Sequence, residues 1–536
     1  MRQLWQIITI MGLLTVLTAC VREQPNIIII TATFPPNIAQ APTQPLIVAS
    51  TATNIPQSTP ILSPVPQQPL SNPTPNATPP PLDIPSTHIV QSGDTLSGIA
   101  VTYGVSVDAI LAVNELLNPN VLSVGQSINL PDVPQQYTPN FKIIPDSRLV
   151  RAPNSRNFDV AQFIANQTGY ITQATDEVTI RIANGAGFPR QETATQIVER
   201  VAIEYSVDVR ILLAMLEFRA GWLSNSTPRE DLLSRPLVGE ATAPNSEGLY
   251  KQLSWLANEL NRGYYAYKYR GLSTITLADE TRLLINPELN PATIAVQYVL
   301  GLDGTSQQTW LLETQIGGLY AIYASYFGDP FIDAVEPLVP NNLQQPQLQL
   351  PFEVGVEWRY TGGPHGGWGS GSAWASLDFA PSEQALNGSL CFTANTWLTA
   401  VAPGIIARSG EGTVVLDLDG DGDESTGWSI HYLHIADDGI VQEGIRLNTG
   451  DRIGRPSCAG GFSTATHVHI GRRFNGEWLP ADCQACLPNY QVSPFVLGNW
   501  TTIGIEGQYY QGFLFNGTTQ IQAEQGRQTT INIISG

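Results

Sequence analysis

Gly362-Gly-Pro-His365-Gly-Gly-Trp-Gly-Ser-Gly-Ser-Ala-Trp374-Ala-Ser-Leu-Asp378-Phe-Ala and Thr464-Ala-Thr-His467-Val-His469-Ile decide how the C-terminal part of this 536-residue chain reads. Both end in alternating patterns. In an extended strand residues i and i+2 share a face, so His467 and His469 point one way while Val468 and Ile470 pack behind. By the same parity Trp374, Ser376 and Asp378 lie opposite Leu377 and Phe379. Five of the six histidines fall between His365 and His469, two of them in His431-Tyr-Leu-His434. A lone histidine reads as a satisfied structural residue, but this density beside a carboxylate reads as a metal site. Three ligands of His and carboxylate type, with a fourth position left to water, describe catalytic zinc. His431, three residues before His434, is expected on the opposite face of its strand, in a structural role.

Outward from that region, composition sets the limits. A formal net charge of -20, with 26 Lys and Arg against 46 Asp and Glu, excludes a basic nucleic-acid platform. It also gives no long-range attraction to an anionic surface. The length allows roughly three or four domains. At the N-terminus Arg2 precedes the apolar run Leu4–Ala19 and then Cys20, too short for the ~20 residues of a membrane span. Leu17-Thr18-Ala19-Cys20 resembles the lipobox of bacterial lipoprotein precursors, which implies lipidation of Cys20 and a lipid anchor on the extracytoplasmic face. A simple secretory signal cleaved near Ala19 is the alternative. Residues 21–86 are rich in Pro, Thr and Ser and predict an extended tether. Shorter linkers are expected at 132–157 and 337–350. Export favours disulfides for Cys391, Cys458, Cys483 and Cys486, with three connectivities open.

Residues 87–131 alternate at Ile89-Val90 and turn at Gly93-Asp94. They then take helical spacing at Leu96, Ile99 and Ala100 behind Thr95 as N-cap, add a second helix carrying Ile110 and Leu111, and close on a strand near Ser127–Leu130. This βααβ pattern, with Gly93-Asp-Thr-Leu96, Asn114 and Val124-Gly-Gln126, resembles a LysM domain over its full length. The resemblance implies binding to N-acetylglucosamine-containing glycans, hence peptidoglycan. The glycan-contacting residues are not specified by the pattern, and His88 is expected at the surface.

Residues 158–336 read as mostly helical, most clearly at Ile197, Val198, Val201, Ala202 and Tyr205 and then at Ile211, Leu212, Met215 and Leu216. The helix bearing Glu217 is similar to the acid-bearing helix of lysozyme-like transglycosylases. With Phe218 in place of the usual Ser and no partner acid, Glu217 is expected to face solvent or pack against a helix rather than catalyse.

From 351 to 536 the chain resembles the M23 (LytM or lysostaphin-type) zinc peptidases. The thirteen-residue separation of His365 and Asp378 and the phrase Arg472-Arg-Phe-Asn-Gly-Glu-Trp-Leu are like the β-lytic subgroup. The resemblance implies His365, Asp378 and His469 as zinc ligands, His467 as general base and His434 as oxyanion stabiliser, these two roles being exchangeable. It also implies the pairings Cys391–Cys458 and Cys483–Cys486. Asp417, Asp419, Asp421 and Asp423 resemble the first half of an EF-hand calcium loop, although Trp428 stands where the closing Glu belongs. An acidic, solvated hairpin turn is the alternative.

The expected fold is thus multidomain α+β: a small βααβ LysM domain, a central mostly α-helical domain and a C-terminal, mostly antiparallel β, M23 peptidase domain. The expected function is a cell-envelope-anchored zinc endopeptidase cutting peptidoglycan stems or cross-bridges. The alternative is a catalytically silent lipoprotein that activates cell-wall amidases. Such activators resemble this chain in domain order but lack several ligands or catalytic histidines, whereas all five positions are filled here.

Overall fold

The computed structural model describes residues 87–536 except 92, 104, 106, 115, 117, 119, 120, 132–135, 305 and 527–529. The signal segment, Cys20 and the 21–86 tether lie outside the described residues. Among those described, no helix is long and apolar enough to cross a membrane.

Strand β1 (Thr87–Ile89), helices α1 (Leu96–Thr102) and α2 (Val107–Ala112) and strand β2 (Ser127–Asn129) come first, with β1 and β2 antiparallel. Their core is Val90, Leu96, Ile99, Ile110 and Ile128. Thr95 Oγ1 accepts the Gly98 N–H at 3.0 Å, the N-cap bond that starts α1. His88 is held between Tyr103 and Asp94 at 3.0 and 2.8 Å, a structural clamp.

The central region comprises α3 (Val160–Ala165), β3 (Thr175–Arg181), β4 (Gly187–Thr193), α4 (Ala194–Tyr205), α5 (Val209–Ala220), α6 (Asp231–Ser234), α7 (Leu249–Tyr269), β5 (Thr274–Thr276), β6 (Arg282–Leu284), α8 (Pro291–Leu302), α9 (Gln307–Glu313) and α10 (Leu319–Phe327). A capping box of Thr193 and Gln196 starts α4, satisfying two otherwise unpaired donors. Its Ile197, Val198, Val201 and Ala202 are all buried. Asp208 caps α5, which is buried over nearly its whole circumference. The hairpins β3–β4 and β5–β6 are additions to the helical expectation. Glu217 lies at the end of α5, where it accepts from Leu223 N and Ser224 N, at 2.8 and 3.2 Å, and from Tyr326 OH at 3.1 Å. It closes the turn that follows α5.

The C-terminal region comprises β7 (Glu357–His365), β8 (Ser376–Pro381), β9 (Leu398–Thr399), β10 (Gly404–Gly410), β11 (Thr413–Asp417), β12 (Trp428–Leu433), β13 (Arg446–Leu447), β14 (Arg452–Gly454), β15 (Val468–Phe474), β16 (Glu477–Trp478), β17 (Val496–Leu497), β18 (Trp500–Gly504), β19 (Gly512–Phe515), β20 (Gln520–Gln522) and β21 (Ile533–Ser535). The main sheet runs β13-β10-β11-β12-β15-β8-β7-β21, with β16 added on β15. One of its faces packs on β17–β20 and the β9–β14 pair through Leu377, Phe379, Ile430, Tyr432, Val468 and Ile470. Cys391 is bonded to Cys458, and Cys483 to Cys486.

The other face of the sheet does not meet solvent throughout. Ala373, Ala375 and Trp478 are part of the same buried cluster as α4, α5, α7 and α8. At this junction Lys268 Nζ lies 2.5 Å from Glu477 Oε1, and Tyr269 OH donates to that oxygen at 2.6 Å. Two segments expected as linkers are corrected here. Phe141, Ile143, Ile144, Leu149 and Val150 pack into the central core, while Leu348 and Leu350 pack into the sheet core. In both, the apolar residues are sparse in sequence but enough to anchor the chain between polar turns.

Candidate metal centre

Three strands bring the expected ligands together. Asp378 on β8 is directly across from His469 on β15, and His365 at the end of β7 is across from Ser376. The ladder slips around Gly362, whose Cβ, had it one, would lie 2.8 Å from Asp378 Oδ2. Only glycine leaves that carboxylate its space.

His365 Nε2 and His469 Nδ1 are 3.0 Å apart. They lie 3.2 and 3.3 Å from Asp378 Oδ1. The other ring nitrogens face carbonyls, His365 Nδ1 to Gly363 O at 2.8 Å and His469 Nε2 to Gly367 O at 2.9 Å. A carbonyl only accepts, so those nitrogens carry the hydrogens and the two inward nitrogens present lone pairs. Asp378 Oδ1 is buried without a hydrogen-bond donor. A carboxylate oxygen facing two lone pairs in a buried site is repulsive unless a cation or a proton sits between them, and Asp378 raises the pKa of His365 accordingly. Two imidazoles and a carboxylate are zinc donors, and ligands about 2.0–2.1 Å from a tetrahedral ion stand about 3.3 Å apart, close to the separations observed. The residues fit the ion.

His434 and His467 flank this trio with ring centroids 4.5 Å apart. His434 Nδ1 donates to Ala459 O at 2.9 Å, and His467 Nδ1 to Ala465 O at 2.8 Å, so each keeps Nε2 for chemistry. His467 Nε2 is 3.7 Å from Asp378 Oδ1. Burial, reinforced by the neighbouring His467 and His469, holds the pKa of His434 well below the usual imidazole value. The expectation that His431 faces away from His434 is corrected. His434 follows the last residue of β12 in a left-handed conformation, φ 69°, which reverses strand parity, so both histidines line one cavity. His431 is nonetheless enclosed by Trp368 and Trp478 and kept neutral by burial and by Arg473 and Arg408.

That cavity, about 1750 Å³, has the five histidines and Asp378 on one wall and β3, β4 and α4 on the other. The β3–β4 hairpin joins the rim through Gly460 N to Arg181 O at 3.0 Å and Cys458 N to Ala183 O at 2.9 Å. Sequence reasoning missed this wall. It also missed Tyr509, whose hydroxyl accepts from Gly366 N at 3.1 Å, and Tyr510, which stacks on His365 with centroids 4.2 Å apart. The adjacent pair of tyrosines near the C-terminus was the available signal.

Glu204 on α4 faces the cavity. Burial raises its carboxyl to about 7 against the opposing pull of Arg200 and the Tyr250 hydroxyl. The folded-state value lies above the unfolded value of about 4.3, so the stability associated with this group is complete below pH 4 and lost as pH rises through 7. Glu204→Gln is therefore expected to stabilise the chain at pH 8 by roughly 1–3 kcal/mol, with no gain at pH 4. Denaturation midpoints at the two pH values check this, and parallel pH slopes for both proteins would refute it.

In the acidic turn, Asp417, Asp419 and Asp421 bring carboxylate oxygens within 4.8 Å of one another. Asp417 is already occupied by the N–H groups of Asp419, Gly420 and Gly422. Asp423 departs from the expected set. It accepts from Ser425 N at 2.8 Å and pairs with Arg156 at 3.1 Å, so an internal cation meets part of the charge that a bound calcium would otherwise neutralise.

Comparison with known proteins adds relatives. Residues 142–341 match the family model of the LasA N-terminal domain, and residues 88–131 match that of the LysM domain. The chain is similar to Protease LasA of Pseudomonas aeruginosa (strain UCBPP-PA14), 24% identical over 312 residues, covering 54% of this chain and 68% of that protein. It is similar to N-acetylmuramoyl-L-alanine amidase XlyB of Bacillus subtilis (strain 168), 46% identical over 46 residues, 9% of this chain and 14% of the amidase. Among solved structures, the deep-sea M23 metalloprotease pseudoalterin matches 34% of this chain and 96% of its own, with 22% identity and a TM-score of 0.26.

Proposed function

We propose that this protein is an M23-type zinc endopeptidase of the cell envelope. It would hydrolyse peptide bonds in peptidoglycan stems or cross-bridges, held on the glycan by residues 87–131 and on a membrane through Cys20. The observation that carries the reading is the convergence of His365 Nε2, Asp378 Oδ1 and His469 Nδ1 beside two histidines whose Nε2 atoms are uncommitted. Similarity to LasA and the LysM match support the substrate class.

His365, Asp378 and His469 would hold the ion, which when bound would supply Lewis acidity for a scissile carbonyl and lower the pKa of a water towards neutrality. His467 Nε2 takes the proton of the attacking water and returns it to the leaving amine. His434, neutral through burial, presents a lone pair at Nε2. It therefore suits orienting the water, and oxyanion stabilisation would require a proton that its surroundings disfavour. The cavity is large enough for an extended peptide segment, with the central region as its second wall.

The test is incubation of the full chain with purified sacculi. One zinc per chain and release of new amino groups are expected. Zinc-free protein that still enhances a separate amidase would favour the activator reading.

A further inference from the structure

The seven residues after His365, Gly366-Gly-Trp-Gly-Ser-Gly-Ser372, form a loop between the metal-site histidines and helix α7. On its inner side the Gly367 carbonyl accepts the His469 Nε2 hydrogen at 2.9 Å, which commits Nδ1 to the site. On its outer side Gly371 N–H donates to Asn258 Oδ1 at 2.9 Å, Arg262 Nη2 donates to Ser370 Oγ at 2.8 Å, and Arg270 Nη1 donates to Ser372 O at 3.2 Å. Contact with the helix is close enough that a Cβ on Gly371 would fall 1.9 Å from the Asn258 carbonyl oxygen. Trp368 N donates to Ser372 Oγ at 3.1 Å, linking the two sides of the loop. Four of the seven residues are glycine. Glycine loses the most conformational freedom on ordering, so a loop of this composition needs an external surface to hold one shape.

We propose that Asn258 on α7 is a positioning residue for the metal centre. By holding Gly371 it fixes the loop, and through the Gly367 carbonyl it sets the tautomer and ring orientation of His469. The central region is then a structural part of the site as well as a wall of its cavity. This inference rests on the zinc reading. Outer partners of metal-bound histidines typically contribute 10–100-fold to metal affinity.

The test uses the full chain and two variants that disturb the contact from opposite sides, Asn258→Ala and Gly371→Ala. Zinc affinity is measured by chelator competition, and ligand geometry by the visible absorption of the Co2+-loaded form. Both variants are expected to bind zinc at least about tenfold more weakly with altered Co2+ bands, while the metal-free midpoint of Asn258→Ala stays near that of the parent. If Gly371→Ala does not fold, Asn258→Ala decides alone. A parent that binds zinc together with an Asn258→Ala variant of equal affinity and unchanged spectrum would overturn this inference only, as would a lowered metal-free midpoint with affinity and spectrum intact. A parent that takes up no zinc would overturn the zinc reading and this inference together.

Discussion

Asp378→Ala is expected to abolish stoichiometric zinc uptake and, with it, peptide hydrolysis, by on the order of 10³-fold or more, the equivalent of several kcal/mol of transition-state stabilisation. Asp378 supplies the only carboxylate among the three converging atoms, and its Oδ1 has no donor to lose. The substitution therefore removes a buried carboxylate whose only close partners are the imidazoles of the site, none of which anchors the strands, and the metal-free chain should still fold. Zinc should separate the two proteins. A ligand at a thousand times its dissociation constant stabilises the folded state by about 4 kcal/mol, so added zinc should raise the thermal midpoint of the parent and leave the variant unmoved. A variant that still shifts with zinc would place the ion elsewhere.

His467→Ala is expected to retain zinc and lose about 10²–10⁴-fold in kcat with little change in KM, the usual worth of a positioned general base. Its ring is oriented through Nδ1 to Ala465 O, and 17% of its side chain is exposed to the cavity, so the loss should fall on proton transfer and not on folding. Steady-state kinetics on a defined peptide, with zinc content measured on the same sample, check this. Undiminished turnover would pass the proton to His434, whose alanine variant should then show the same loss.

The two-residue period of strands made much of this site readable in advance. Asp378, His467 and His469 stand on the side their parity assigns, because Leu377, Phe379, Val468 and Ile470 are fully buried behind them. Parity failed at His434, where one left-handed residue reversed the side chain, and no local pattern announces such a residue. The central region was readable as helices but not as a partner of the sheet. Lys268 meets Glu477 from 209 residues away, and Asn258 meets Gly371 from 113. Contacts of that span leave no periodic trace. The segments 132–157 and 337–350 were misjudged because proline and polar content suggested tethers, whereas burial of Phe141, Ile143, Leu348 and Leu350 is what holds them.

The backbone at His434 restricts what evolution or an engineer can place there. A residue other than glycine in that conformation costs roughly 1–2 kcal/mol, and branching at Cβ aggravates the clash. Asparagine would preserve the bend while deleting the imidazole, whereas valine would tend to straighten the chain and misdirect everything after it. Exchange to asparagine is thus the cleaner way to ask what that ring contributes, because it separates the path of the main chain from the chemistry of the side chain.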